Sequence, residues 1–103
     1  MKYTIHDGHD GRGGKDIVIT GRMTFADHKE MRDIIAMFSQ PGFGSITFDL
    51  SGVEFIDSAA MGMLLLARET AISRQSQVTL KGARDQVKRI MAVAKFDALF
   101  TLI

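Results

Sequence analysis

The chain has 103 residues and a mass of 11.4 kDa, with 46% hydrophobic and 24% charged side chains. Thirteen Lys and Arg against twelve Asp and Glu leave a formal charge of +1, without the strong positive field that nucleic acid demands. The absence of cysteine excludes a disulfide scaffold, a thiolate zinc site and a cysteine nucleophile.

This length predicts one domain over residues 1–103. Two domains of ~50 residues each would need disulfides or metals to hold them. Met1 to Asp7 has no apolar stretch of secretion-signal length. The longest apolar run is Ala59 to Ala67, while a bilayer span needs roughly 20 residues. The expectation is a cytoplasmic protein without direct membrane insertion.

Met1 to Ile5 alternates and predicts a short strand. A glycine-rich loop from His6 to Lys15 follows, then a second strand from Asp16 to Thr20 through Ile17, Val18 and Ile19. Together they suggest a hairpin. Thr24 is an N-cap with Asp27 as its capping-box partner, and Met31, Ile34, Ile35 and Phe38 then recur at helical spacing. Pro41-Gly42 stops that helix.

Ser45 to Leu50 reads as a strand, Ser51-Gly52 as a turn, and Val53 to Ile56 as a continued extended segment. Asp57 is a good N-cap for a helix from Ser58 to Ser73, whose apolar centre predicts burial on most sides. Gln77 to Lys81 is the next strand. Val87, Ile90, Met91 and Ala94 predict a helix from Arg84 to Ala94. Phe96 to Ile103 is an apolar tail that predicts a turn and a last edge strand. Alternating strands and helices argue an α/β layer, largely parallel after the hairpin.

The strongest local feature is Asp49-Leu50-Ser51-Gly52-Val53-Glu54-Phe55-Ile56-Asp57-Ser58-Ala59-Ala60-Met61-Gly62. A strand runs into Asp-Ser at the mouth of an apolar helix. Helix N-termini present free N–H groups and partial positive charge, so a serine there suits a phosphorylation switch. The plainer reading makes Asp57 a cap and Ser58 a tolerated first-turn residue.

Residues 49–62, with Leu64-Leu65-Leu66 behind them, resemble the signature of the STAS domain, the fold of bacterial anti-sigma factor antagonists. Ile17 to Phe25, Val78 to Leu80, Val87 to Met91 and Phe96 to Phe100 extend the resemblance over nearly the whole chain. It implies a single layer of four to five mixed strands with three or four helices packed on it. It also implies a partner switch. The unphosphorylated domain would bind an anti-sigma factor that is also a serine kinase. Phosphorylation would release that partner, and a PP2C-type phosphatase would reset the cycle. By matching position Ser58 is the phosphoacceptor. Asp49, Asp57, Ala59, Ala60 and Met61 would join it in the partner-binding surface. The chain departs from the family in having Ala59-Ala60 where Ser-Gly is frequent, in Arg74-Gln75-Ser76 where a glycine-bearing turn is usual, and in its glycine-rich loop.

Other readings compete. A constitutive STAS scaffold or transporter subunit would use Ser58 only structurally. A receiver-like domain would phosphorylate Asp49, but it wants an acidic pair at the end of the first strand to hold magnesium. Gly8 to Lys15 fails as a phosphate loop, because His9 stands where glycine is needed and Asp16 where Ser or Thr is needed. His6-Asp7 and His9-Asp10 form a weak metal pattern. Arg84, Lys88 and Arg89 make a basic patch, read by default as a solvated face. No catalytic constellation, metal site or cofactor is expected.

Overall fold

The computed structural model describes residues 1–8 and 14–103. One five-stranded sheet runs in the order β1-β2-β3-β4-β5. The strands are β1 (Lys2–Asp7), β2 (Lys15–Met23), β3 (Ile46–Ile56), β4 (Val78–Lys81) and β5 (Thr101–Leu102). The first pair is antiparallel and the other three pairs are parallel. Helices α1 (His28–Ala36), α2 (Ser58–Ser73) and α3 (Asp85–Val93) connect the parallel strands.

Each parallel connection steps to the next strand in the same direction. Crossovers of one hand therefore stack all three helices on one face of the sheet. Burial follows that rule: Ile17, Ile19, Ile46, Phe48, Leu50, Val78 and Leu80 point into the core. The alternate positions Asp16, Thr47, Asp49 and Thr79 are half-buried on the other face. The mixed sheet and the helices packed on it match the expected architecture.

Three local expectations change. Ser51-Gly52 is not a turn, because β3 runs unbroken through it. The register against β2 shifts between Val18 and Thr20, where β3 holds one extra residue, and again between Gly21 and Arg22. A glycine inside a strand marks such a bulge as readily as a turn. A Cβ on Gly52 would come within 2.8 Å of Thr20 Cγ2, so a side chain here would force the Thr20 side chain to move.

The capping box at Thr24 forms, with Thr24 N–H donating to Asp27 Oδ2 at 2.9 Å. It opens a 3-10 turn over Phe25–Asp27, and α1 begins only at His28. In α3, Val87 and Met91 are buried, Ile90 is half-buried, and Ala94 lies beyond the helix end in solvent.

The unusual Arg74-Gln75-Ser76 turn ends α2 in a Schellman motif. Ser76 N–H donates to Ala71 O and Gln75 N–H to Ile72 O. Gln75 takes φ 61°, the left-handed conformation that a glycine would adopt without strain.

Candidate functional site

The site grows from the end of β3. Asp57 is extended (φ −102°, ψ 175°), and its N–H donates to Met23 O at 3.1 Å. Its carboxylate is used twice. Oδ1 accepts Ala60 N–H at 2.8 Å and so caps α2. Oδ2 accepts Phe25 N–H at 3.0 Å, from the turn that precedes α1. One side chain therefore ties the β2–α1 turn to the mouth of α2.

A second clamp acts from the opposite side. Gln86, in the first turn of α3, hydrogen-bonds both backbone groups of Ile56. Ile56 N–H donates to Gln86 Oε1 at 3.1 Å, and Gln86 Nε2 donates to Ile56 O at 2.9 Å. The amide thus stands in for a neighbouring strand where β4 has already ended. Arg84 Nε adds a bond to Ser51 O at 2.8 Å.

Ser58 is the first residue of α2 and is exposed. Among the described residues its hydroxyl has no hydrogen-bond partner. The helix period then divides the predicted surface. Ala60 and Met61 are 2% and 5% exposed, so they seat α2 from within and correct the expectation that they face a partner. Ala59 is half-buried, and the outward stripe is Ser58, Gly62 and Leu66.

Asp49 sits mid-strand on the half-exposed sheet face. Its Oδ1 accepts Ser51 N–H (3.0 Å) and Ser51 Oγ–H (2.7 Å), satisfying the amide at the bulge. Desolvation pushes its carboxyl up, but the Ser51 bonds and the charge of Lys81 outweigh that and hold it below the ordinary value.

Two residues of the site escaped the sequence reading. Phe25 is 65% exposed and stacks on His28, with ring centroids 5.1 Å apart. An exposed phenylalanine anchored by the capping aspartate is a ready contact for a partner. The signal available in sequence was an aromatic residue one place after a cap, where solvent exposure is usual. Gly62 is the other. Among the described residues, no atom beyond its own stretch of α2 lies within 4 Å of where its Cβ would stand, so packing there does not require a glycine in this helix. Gly62→Ala is expected to raise stability by about 1 kcal/mol, the helix-propensity difference, measured by urea denaturation. An unchanged or lower midpoint would place the reason for this glycine inside the fold.

Asp27 anchors the same turn from behind. It is buried, and the Met1 ammonium donates to its Oδ1 at 2.9 Å. Burial raises its carboxyl, but the hydrogen bonds from the ammonium and Thr24, with the ammonium's charge, bring it below the usual range. In the hairpin, Asp7 pairs with Lys15, whose hydrogen bond and charge lower its carboxyl. Among the described residues no group of three or more His, Cys, Asp or Glu could hold a metal. His9 and Asp10, with the loop reading of residues 9–13, lie outside the described residues.

A family profile described as "Mlab, STAS domain" matches residues 10–103. The chain belongs to the STAS-domain family. The domain is 33% identical over 86 residues to a STAS-domain containing protein of Pseudomonas aeruginosa (strain UCBPP-PA14), covering 84% of each chain.

Solved structures share the STAS fold. The anti-sigma factor antagonist SpoIIAA in its unphosphorylated form superposes with a TM-score of 0.76 at 14% identity, over 99% of this chain and 87% of that one. An anti-sigma-factor antagonist (STAS) domain protein from Planctomyces limnophilus gives 0.80 at 14% identity, over 98% and 87%. A sulfate transporter family protein from Wolinella succinogenes gives 0.74 at 17% identity, over 90% and 80%. STAS domains are typically binding modules rather than enzymes. Among the described residues, no helix of this STAS domain is long and apolar enough to cross a membrane.

Proposed function

We propose that this STAS domain is a phosphorylation-controlled partner switch, an anti-sigma factor antagonist acting in the cytoplasm. With Ser58 bare it binds an anti-sigma factor that is also a serine kinase. With Ser58 phosphorylated it lets that partner go, and a PP2C-type phosphatase restores the bare form.

The observation that carries this reading is the exposed, unbonded Ser58 hydroxyl at the mouth of α2, beside an exposed Phe25 that Asp57 holds in place. A kinase can reach the hydroxyl without unfolding the helix. The phosphate would bring about −1.5 to −2 charges to a face whose other contacts are Phe25, Gly62 and Leu66. A partner that buried this face would have to desolvate that charge, which is a direct route to release. SpoIIAA, which shares the fold, is known in both unphosphorylated and phosphorylated forms, and this supports the choice.

The test is intact mass of the protein purified from its native host, with peptide mapping of residues 55–68. One phosphate on Ser58 is expected. Ser58 unmodified in every growth state, and still unmodified with the candidate kinase and ATP, would sink the switch. The constitutive scaffold, a use suggested by the fold shared with transporter STAS domains, would then take its place.

A further inference from the structure

The β2–α1 turn has an anchor besides Asp57 and its own capping box. Strand β1 runs antiparallel to β2 with Lys2 opposite Thr20, so Met1 reaches the end of β2 beside the turn. The Met1 side chain is wholly buried and packs against the core, which seats the terminus in the fold. Its ammonium donates to Asp27 Oδ1 at 2.9 Å, while Asp27 Oδ2 accepts Thr24 N–H at 2.9 Å. Asp27 N–H in turn donates to Thr24 O at 2.9 Å and closes the turn that carries Phe25.

Among the described residues Asp27 is the only buried polar or charged one, and the Met1 ammonium is the only cation paired with it. A buried carboxylate stripped of its cation is far more costly than a broken surface pair. An acyl group on the amine would remove the charge and leave a single N–H. It would also add a carbonyl where the carboxylate already stands 2.9 Å away. Asp27 would keep only its bonds with Thr24, and the 24–27 turn would loosen. Phe25, 65% exposed, rides on that turn.

We infer that the α-amino group of Met1 is a modification site that sets the turn under Phe25: free and charged it holds the turn, and acylated it releases it. The group it takes is a short acyl chain delivered by an acyl thioester. The transfer forms the N–C amide bond and breaks the C–S bond. Of the two protons that the ammonium gives up, one goes to the thiolate and the other to water. The folded domain seats the amine, so acylation has to precede folding and is set once for each chain. Ser58 differs, because it is exposed and can be reached in the folded domain. The effect on partner binding rests on the role proposed above for the Phe25 face, while the effect on the turn does not.

The test compares the full chain with a free Met1 amine and the same chain Nα-acetylated during expression, each also as Asp27→Asn, with intact mass confirming all four. Amide exchange at Phe25 and affinity for the kinase partner are read side by side. Acetylation is expected to speed Phe25 exchange and to weaken the partner, each at least about tenfold, while exchange at Leu80 in β4 stays within about twofold. Asp27→Asn holds no carboxylate to compensate, so acetylation there should change either value less than about twofold. Should the acetylated chain unfold outright, its Asp27→Asn counterpart is expected to fold. The inference is overturned if Phe25 stays protected after acetylation, if acetylation acts equally in Asp27→Asn, or if Phe25 loosens with no loss of affinity. It is also overturned if protein from the native host binds its partner with an acyl group or further residues on the Met1 nitrogen. A free-amine chain that binds no kinase partner sinks the proposed switch instead, and Phe25 exchange alone then decides the inference.

Discussion

Ser58→Asp is expected to weaken binding of the kinase partner at least about 100-fold, while Ser58→Ala holds it as tightly as the unmodified domain does and keeps holding it when ATP is added. A factor of 100 corresponds to about 2.8 kcal/mol, a usual size for a charge forced onto a docked surface. Isothermal titration with and without ATP measures both. The asymmetry matters more than either value. Alanine removes a hydroxyl that makes no hydrogen bond within the described residues, so the fold and the face survive. Aspartate adds a charge next to the carboxylate of Asp57 at the mouth of α2. Equal affinity of the two variants would remove Ser58 from the mechanism and leave the face as a constitutive contact.

Asp57→Ala is expected to cost about 2 kcal/mol of stability and lower the melting temperature by about 10 °C. Loss of an N-cap costs about 1 kcal/mol, and the lost bond to Phe25 N–H adds a similar amount. Asp57→Asn keeps the oxygen that caps Ala60 and loses only the second acceptor, so it should fall about half-way. Urea denaturation of the three chains gives the order. Amide exchange at Phe25 and Ala60 locates the effect, and both amides should lose protection in Asp57→Ala. A cost below about 0.5 kcal/mol, with Phe25 still protected, would show that the turn does not depend on this carboxylate. The wider consequence is that Asp57 acts on the partner face as well as on the helix. Its removal should loosen Phe25 and weaken partner binding even with Ser58 intact.

The fit of this STAS domain to its candidate role rests on how few side chains hold the mouth of α2. Asp57, Gln86 and Asp27 each join segments distant in sequence, Asp27 through the Met1 ammonium, and together they brace residues 24–27 and 56–60. A rigid face costs little conformational entropy on binding, so the energy of association is available for discrimination between bare and phosphorylated serine.

What the sequence by itself determined was local or periodic. The bounds of α2, Ser58 to Ser73, and its cap at Asp57 were legible because a cap and its amide lie three residues apart. The strands were legible because inward and outward positions alternate, and their parallel order because helices separate them. The exposed serine followed from its place before the first buried turn. Only the tertiary structure decided the rest. Whether Ser51-Gly52 turns or bulges depends on β2 and the proximity of Thr20, not on the dipeptide. Ala60 and Met61 face inward because α2 must lie on the sheet, and an apolar helix does not announce which of its sides does so. The bond from Phe25 to Asp57 spans 32 residues and that from Ile56 to Gln86 spans 30, and composition carries no trace of either. Helix α3 shows the same limit, since its period was visible but the split between buried Val87 and Met91 and bare Val93 was not. Helical spacing places residues on a face, and only packing against a neighbour says which face is covered.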